Sequence, residues 1–262
     1  MKAPSWSTKI LDFGLRLTYP FVYFGQWGKK TIICPINNFA KFKVRVWTSD
    51  KFILWEVWKK KEYTNDYFDI GPFDIVVDIG AHIGAFTVYA AKKAIHGKIY
   101  AYEAYKENYG LLIENIKLNK LKNVVPFSVA VLDKSGIHEF FIGEKNIAGS
   151  SLYENTWGKK SVKVDTLSFK DIFAKNKLKK VNFLKMDVEG AEYNIILNSP
   201  PKLLKKIDKI ALEFHDNLPH GHNYKELIAY LQKNGFHVKV SAPFIFREFF
   251  KTGILKAWHN RQ

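Results

Sequence analysis

The residues of this 262-residue chain best placed to do chemistry are two acids, each at the end of an apolar run, with a glycine turn between them. Asp78 ends the run Val76-Val77 and opens onto Ile79-Gly80-Ala81-His82-Ile83-Gly84, and Glu103 ends Tyr100-Ala101-Tyr102, 25 residues after Asp78. A strand that turns through glycines into a helix, then a second strand ending in an acid, is how a nucleoside pocket is built. The glycines let the backbone approach a ligand, and the second acid accepts the ribose hydroxyls. Dinucleotide pockets carry G-x-G-x-x-G, with the pyrophosphate resting on the helix N-terminus. Here the spacing is D-x-G-x-x-x-G. The preceding acid is a poor neighbour for a pyrophosphate and a good one for the cationic amino-acid end of S-adenosylmethionine. Charge sign therefore favours the sulfonium cofactor. The plainer alternative is that Asp78 and Glu103 cap buried strands and bind nothing.

Further along, Asp187 with Glu189 and Glu213 with His215 stand at the ends of two more apolar runs. In open α/β sheets, ligands bind beyond the carboxyl ends of the strands, so four successive strand ends rich in acids point to one site. His215 is the general-base candidate because an imidazole titrates near neutral pH. Glu189 also reads as an acid in the first turn of a helix, and Glu192 lies one turn on. Asp187, Glu189, Glu213 and His215 would alternatively suit Mg²⁺ or Mn²⁺, although a required metal is not the favoured reading.

The elements that must position these residues alternate. Residues 74–79 read as a buried strand, 85–95 as a helix, 98–103 as a strand, 107–118 as a helix and 123–130 as a third strand. Residues 138–142 and 161–164 read as an inserted hairpin. Next come a strand at 181–186, a helix at 189–198, a strand at 209–214 and a helix at 224–234 that stops at Gly235. Residues 236–240 and 254–258 read as the last two strands. Such alternation implies a mostly parallel, doubly wound sheet covered on both faces. Residues 1–70 differ: they are rich in aromatics, with a half-buried strand at 42–47 and a short helix at 53–60. They are read as an N-terminal extension to a domain spanning 71–262, with Gly71-Pro72 as punctuation.

Several of these segments resemble the FkbM family of S-adenosylmethionine-dependent methyltransferases. They are Val77 to Gly84, Asp165-Thr166-Leu167, Lys185-Met186-Asp187-Val188-Glu189-Gly190-Ala191-Glu192 and Leu212-Glu213-Phe214-His215. K-x-D-x-E-G-A-E is the most specific, and His82 falls within the family's D-x-G-A-(N/H)-x-G loop. The resemblance covers residues 43–215, including Thr48-Ser49-Asp50. It implies a class I methyltransferase fold with a seven-stranded sheet, acting by O-methylation on sugars or natural products. On that footing the loop Gly80, Ala81, His82 and Gly84 cradles the methionine part, with Asp78 behind it, and Glu103 accepts both ribose hydroxyls. Ala104 and the third-strand end at Val129-Ala130 border the adenine, and Asn108 contacts the adenosine. Asp187 faces both the cofactor and the acceptor, and His215, Asp187 and Glu189 form the catalytic set.

Composition bounds the alternatives. An apolar fraction of 47% supports a sizeable core and argues against disorder. The net charge of +16 comes from 37 Lys against 4 Arg, scattered with small clusters at Lys59-Lys60-Lys61, Lys179-Lys180 and Lys205-Lys206, whereas dedicated nucleic-acid readers lean on arginine. A tRNA methyltransferase is the runner-up on charge. Against it, base-amino methyltransferases tend to place an Asn/Asp-Pro-Pro-aromatic loop where this chain has Asp187-Val188-Glu189-Gly190, and two acids repel phosphates. A non-catalytic nucleoside-binding module is the third reading. One cysteine, Cys34, excludes a disulfide framework and a cysteine-based zinc site. With no long apolar run and no signal-peptide pattern, a cytoplasmic enzyme is expected. The aromatic stretch Trp6–Trp27 is expected to pack on the main domain, with a membrane surface or an oligomer interface as alternatives. Gly149-Ser150-Ser151 reads as an acceptor lid or a plain hairpin turn.

Overall fold

A computed structural model describes residues 30–142, 160–216, 221–241 and 252–259; the Trp6–Trp27 stretch and the loop at Gly149-Ser150-Ser151 lie outside them. Twelve strands are present among the described residues. Seven form the central sheet, in the order β11 (His237–Val240), β12 (Thr252–Trp258), β10 (Ile207–His215), β9 (Val181–Met186), β3 (Ile75–Ile79), β4 (Lys98–Tyr102), β5 (Val124–Phe127). From β10 to β5 every pairing is parallel, and β12 alone runs antiparallel, between β10 and β11. This is the seven-stranded class I methyltransferase sheet that the alternation and the resemblance lead one to expect.

The period of two along each strand divides the core into two layers. Val77 and Ile79 of β3, Tyr100 and Tyr102 of β4, and Leu184 and Met186 of β9 face one layer. Helices α4 (Phe169–Lys175), α5 (Glu192–Leu197) and α7 (Tyr224–Lys233) cover it through Phe173, Ile196 and Leu231. Val76, Ile99 and Phe183 face the other layer, under α2 (Ala85–Lys93). Strands buried on both faces explain why these segments read as continuous apolar runs.

The hairpin of β1 (Thr31–Ile36) and β2 (Ala40–Arg45) packs over the second layer, and α1 (Asp50–Leu54) follows it, continuing through a π turn at Trp55–Lys59. Phe42, Val44, Leu54 and Val57 belong to the same buried cluster as Val76 and Phe183. Side chains of α3 (Lys106–Leu118) complete the free edge of β2. Asn115 Oδ1 accepts the Lys43 N–H at 2.6 Å, and its Nδ2 donates to Lys43 O and to Ile83 O. Asn119, just beyond α3, bonds both backbone groups of Lys41 in the same way.

Expectations shift at two places that border the site. The third strand stops at Phe127, and Ala130 opens a separate strand, β6 (Ala130–Leu132). β6 pairs with β8 (Lys160–Ser168), which forms the expected hairpin with β7 (Gly136–Ile142). The helix expected from Glu189 begins at Glu192, because Glu189 (φ +50°) and Gly190 (φ +104°) take a left-handed turn first. The partner strand of β2, the helix α4 and the short helix α6 (Pro201–Leu204) carried no clear sequence signal.

Candidate functional site

The glycine loop is shaped by what lies against it. Gly80 has φ +75°, and a Cβ there would sit 1.8 Å from Asp187 O, so the end of β9 excludes any side chain. Its N–H and that of Ala81 both donate to Tyr102 O, while the Asp187 N–H donates to Ile79 O at 3.1 Å. The ends of β3, β4 and β9 are thereby laced together, which brings Asp78, Glu103 and Asp187 to one edge of the sheet.

Asp78 is fully buried behind this loop. Thr87 Oγ1 donates to it at 2.5 Å, and Lys185 Nζ stands 3.4 Å from Oδ1. The same ammonium donates to Gly80 O at 2.7 Å and lies 3.8 Å from Asp187 Oδ2. Lys185 thus stands against Asp78 where the cofactor's cationic end is expected, and Asp78 Oδ1 itself accepts no hydrogen bond within the protein. Burial pushes the Asp78 carboxyl up, and Lys185 and Thr87 oppose that push. Burial disfavours the Lys185 ammonium, yet Asp78 and Asp187 outweigh it and hold its pKa above the usual lysine range. Lys185 opens the K-x-D-x-E-G-A-E motif, and spacing alone assigns it no role. A lysine following the apolar pair Phe183-Leu184 in a buried strand is the signal.

Glu103 stands at the end of β4, almost wholly buried. One oxygen accepts the His82 N–H and the other the Tyr105 N–H, both at 2.8 Å. Burial raises its carboxyl, opposed by these two N–H groups and by the Asn108 side chain. Asn108 Oδ1 is buried with no hydrogen-bond partner in the protein. A carboxylate with lone pairs to spare beside an orphaned acceptor suits a nucleoside's hydroxyl and amino donors. Ala104 follows Glu103 directly, and the Glu103 N–H donates to Phe127 O, which brings the end of β5 alongside. Ala130 is buried and pairs with Thr166 in the small sheet.

On the acceptor side, Asp187, Glu189 and His215 each present a ligand-type atom within 4.8 Å of the others. The left-handed turn at Glu189 aims its carboxylate back at His215, with Oε2 3.4 Å from Nε2. His215 Nδ1 lies 3.0 Å from Glu192 Oε1, which also accepts the His215 N–H; the other Glu192 oxygen accepts the Gly190 N–H. Glu192 is therefore a buried support for the turn and the imidazole, not a neighbour on an exposed helix face. Tyr63, from the segment before β3, donates to Asp187 Oδ2 at 3.1 Å and reaches Glu213 Oε2 at 3.5 Å.

Burial opposes the charge on His215, but Glu189 and Glu192 outweigh it and hold the imidazole well above its usual range. Burial pushes Glu189 up to about 8; His215 pulls against that, while Asp187 and Glu213 add to it. The Glu189–His215 pair thus keeps a proton near neutral pH. The three side chains can also hold a divalent cation.

A third group borders the loop. Arg45, closing β2, forms a two-pronged ion pair with the fully buried Asp50, Nη2 to Oδ1 at 2.8 Å and Nε to Oδ2 at 3.0 Å. Nη2 also lies 3.4 Å from His82 Nε2. The sequence placed His82 in the loop but gave no role to Arg45.

Comparison with known proteins is consistent with this geometry. The methyltransferase FkbM domain description matches residues 78–238. "Methyltransferase 1" of Beauveria bassiana is 26% identical over 209 residues, spanning 70% of this chain and 82% of that protein. A Methanocaldococcus jannaschii tRNA(Phe) (4-demethylwyosine(37)-C(7)) aminocarboxypropyltransferase is 40% identical over 100 residues, spanning 38% of this chain and 39% of its own length. The solved structure of methyltransferase FkbM from Methylobacillus flagellatus superposes with a TM-score of 0.51 at 13% identity, over 76% of this chain and 47% of that one. The last likeness speaks for the fold alone.

Proposed function

This chain belongs to the methyltransferase FkbM family of S-adenosylmethionine-dependent enzymes, and from that premise we propose that it methylates a hydroxyl oxygen of a sugar, glycolipid or small metabolite. The observation that carries the reading is the proton-holding set Asp187–Glu189–His215, laced to the glycine loop through the Asp187–Ile79 hydrogen bond. S-adenosylmethionine supplies an electrophilic methyl group on a sulfonium. The loop holds the methionine part and Glu103 the ribose, and the acceptor is held in line with the methyl carbon. A hydroxyl must lose its proton as the new C–O bond forms. Glu189, ionised as the carboxylate that His215 stabilises while Glu192 holds the ring, takes that proton and becomes the neutral acid. This reassigns the base: the carboxylates around His215 keep it charged, so it supports Glu189 instead of accepting the proton itself. Asp187, steadied by Tyr63 and Lys185, orients the acceptor hydroxyl.

Glu189→Gln tests this assignment. Turnover should fall by about a hundredfold to ten-thousandfold, the usual worth of a general base. S-adenosylhomocysteine binding should stay near wild type, and unchanged turnover would remove Glu189 from the mechanism.

A tRNA acceptor remains as a second reading, motivated by the charge of +16 and by the relative whose name describes transfer to tRNA. The carboxylates beside the loop disfavour a phosphate backbone there. Filter binding to tRNA across a salt series decides between the two, since phosphate-dominated binding weakens steeply as salt rises.

A further inference from the structure

We propose that Arg45 and His82 recognise the carboxylate of the cofactor's amino-acid end; the inference rests on the S-adenosylmethionine reading above, gives Arg45 a role which that reading does not use, and gives the His82 side chain a specific partner. Arginine has only donors, so the 3.4 Å contact between Arg45 Nη2 and His82 Nε2 makes Nε2 the acceptor. The proton of the neutral ring is then on Nδ1. Burial, the largest influence, pushes the His82 pKa down to about 4, which keeps the ring neutral across the working range.

This tautomer leaves two orphans in contacting side chains. His82 Nδ1 and Arg45 Nη1 are both buried with no hydrogen-bond partner in the protein. Buried donors without acceptors are expensive and are normally matched by a ligand or water. Arg45 Nη1 and His82 Nδ1 are thus two N–H donors on contacting side chains, and a carboxylate offers an acceptor oxygen to each. Of the three charged groups on S-adenosylmethionine, the ammonium and sulfonium are cations that an arginine repels, and the carboxylate is the sole anion. Location agrees, because the His82 N–H is bonded to Glu103, so its ring borders the loop expected to cradle the methionine part. Asp50 cancels the net charge of Arg45. Recognition therefore comes from aimed hydrogen bonds, not from a broad positive field.

The left-handed φ of +52° at His82 limits the useful variants. Glycine tolerates this conformation and removes the donor. Asparagine also tolerates it and carries an acceptor and a donor on one amide, so it can face Arg45 and the carboxylate together. Arg45→Lys keeps a charge for Asp50 and loses the planar fork.

The test is calorimetry of the purified protein with S-adenosylmethionine and with its decarboxylated analogue, which differ in this group alone. Wild type should prefer the carboxylated compound by about tenfold to a hundredfold, the worth of hydrogen bonds to a charged group. In His82→Gly and Arg45→Lys the preference should collapse towards one through weaker binding of S-adenosylmethionine, with the analogue's affinity unchanged. His82→Asn should restore it. A preference that survives both substitutions, or equal weakening of both ligands, overturns the inference while leaving the cofactor reading intact. Failure of wild type to bind either compound would overturn the cofactor reading and this inference with it.

Discussion

At the scale of single residues, the site is organised by how buried charges are matched. Lys185 is the central case, serving Asp78, Asp187 and the Gly80 carbonyl with one ammonium. Lys185→Met would leave Asp78 as an uncompensated buried charge, so unfolding stability should drop by about 3–5 kcal/mol in urea titrations. A drop below about 1 kcal/mol would mean that Asp78 is neutralised by other means. The Glu189–His215 pair sets the pH dependence. Glu189 must be ionised to take a proton, so kcat/KM should rise with pH through about 8 and level off above. His215 is the cation that lowers Glu189, so His215→Gln should move the rising limb to higher pH. Glu103, the glycine loop and the acid set were legible because each ends an apolar run. Lys185, Arg45 and Tyr63 were not, since their roles depend on partners between about 5 and 150 positions away, which neither periodicity nor spacing encodes.

At the scale of elements, β3, β4 and β9 could be read almost to the residue and β10 to within two, because a strand buried on both faces leaves a largely apolar run. The misread boundaries lie where local geometry overrides pattern. The left-handed turn at Glu189–Gly190 delays the helix by three residues and creates the Glu189–His215 contact, so the error falls on the functional feature itself. The β1–β2 hairpin depends on Asn115 and Asn119 beyond its own sequence, and its end positions Arg45 against His82. Asn115→Ala strips one backbone N–H and two carbonyls of their partner. It should cost about 1–3 kcal/mol, with faster hydrogen exchange in β2 as the specific sign. Uniform exchange across the molecule would contradict a local role for this clamp.

At the scale of the whole molecule, the doubly wound sheet gathers the ends of β3, β4, β9 and β10 along one edge, with the segment before β3 lending Tyr63. Although the chain carries a net charge of +16, these strand ends gather acids: Asp78, Glu103, Asp187, Glu189 and Glu213. No helix among the described residues is long and apolar enough to cross a membrane. The proposed function turns on transfer of a methyl group to oxygen. The most direct measurement uses S-adenosylmethionine carrying ¹³C in the methyl group, supplied to the enzyme with an extract of hydroxylated metabolites and glycans from the source cells. Carbon NMR should show the label as a methyl ether, formed by wild type and lost in Glu189→Gln. Label on nitrogen or carbon, or transfer of the aminocarboxypropyl group with the labelled methyl left on sulfur, would contradict it.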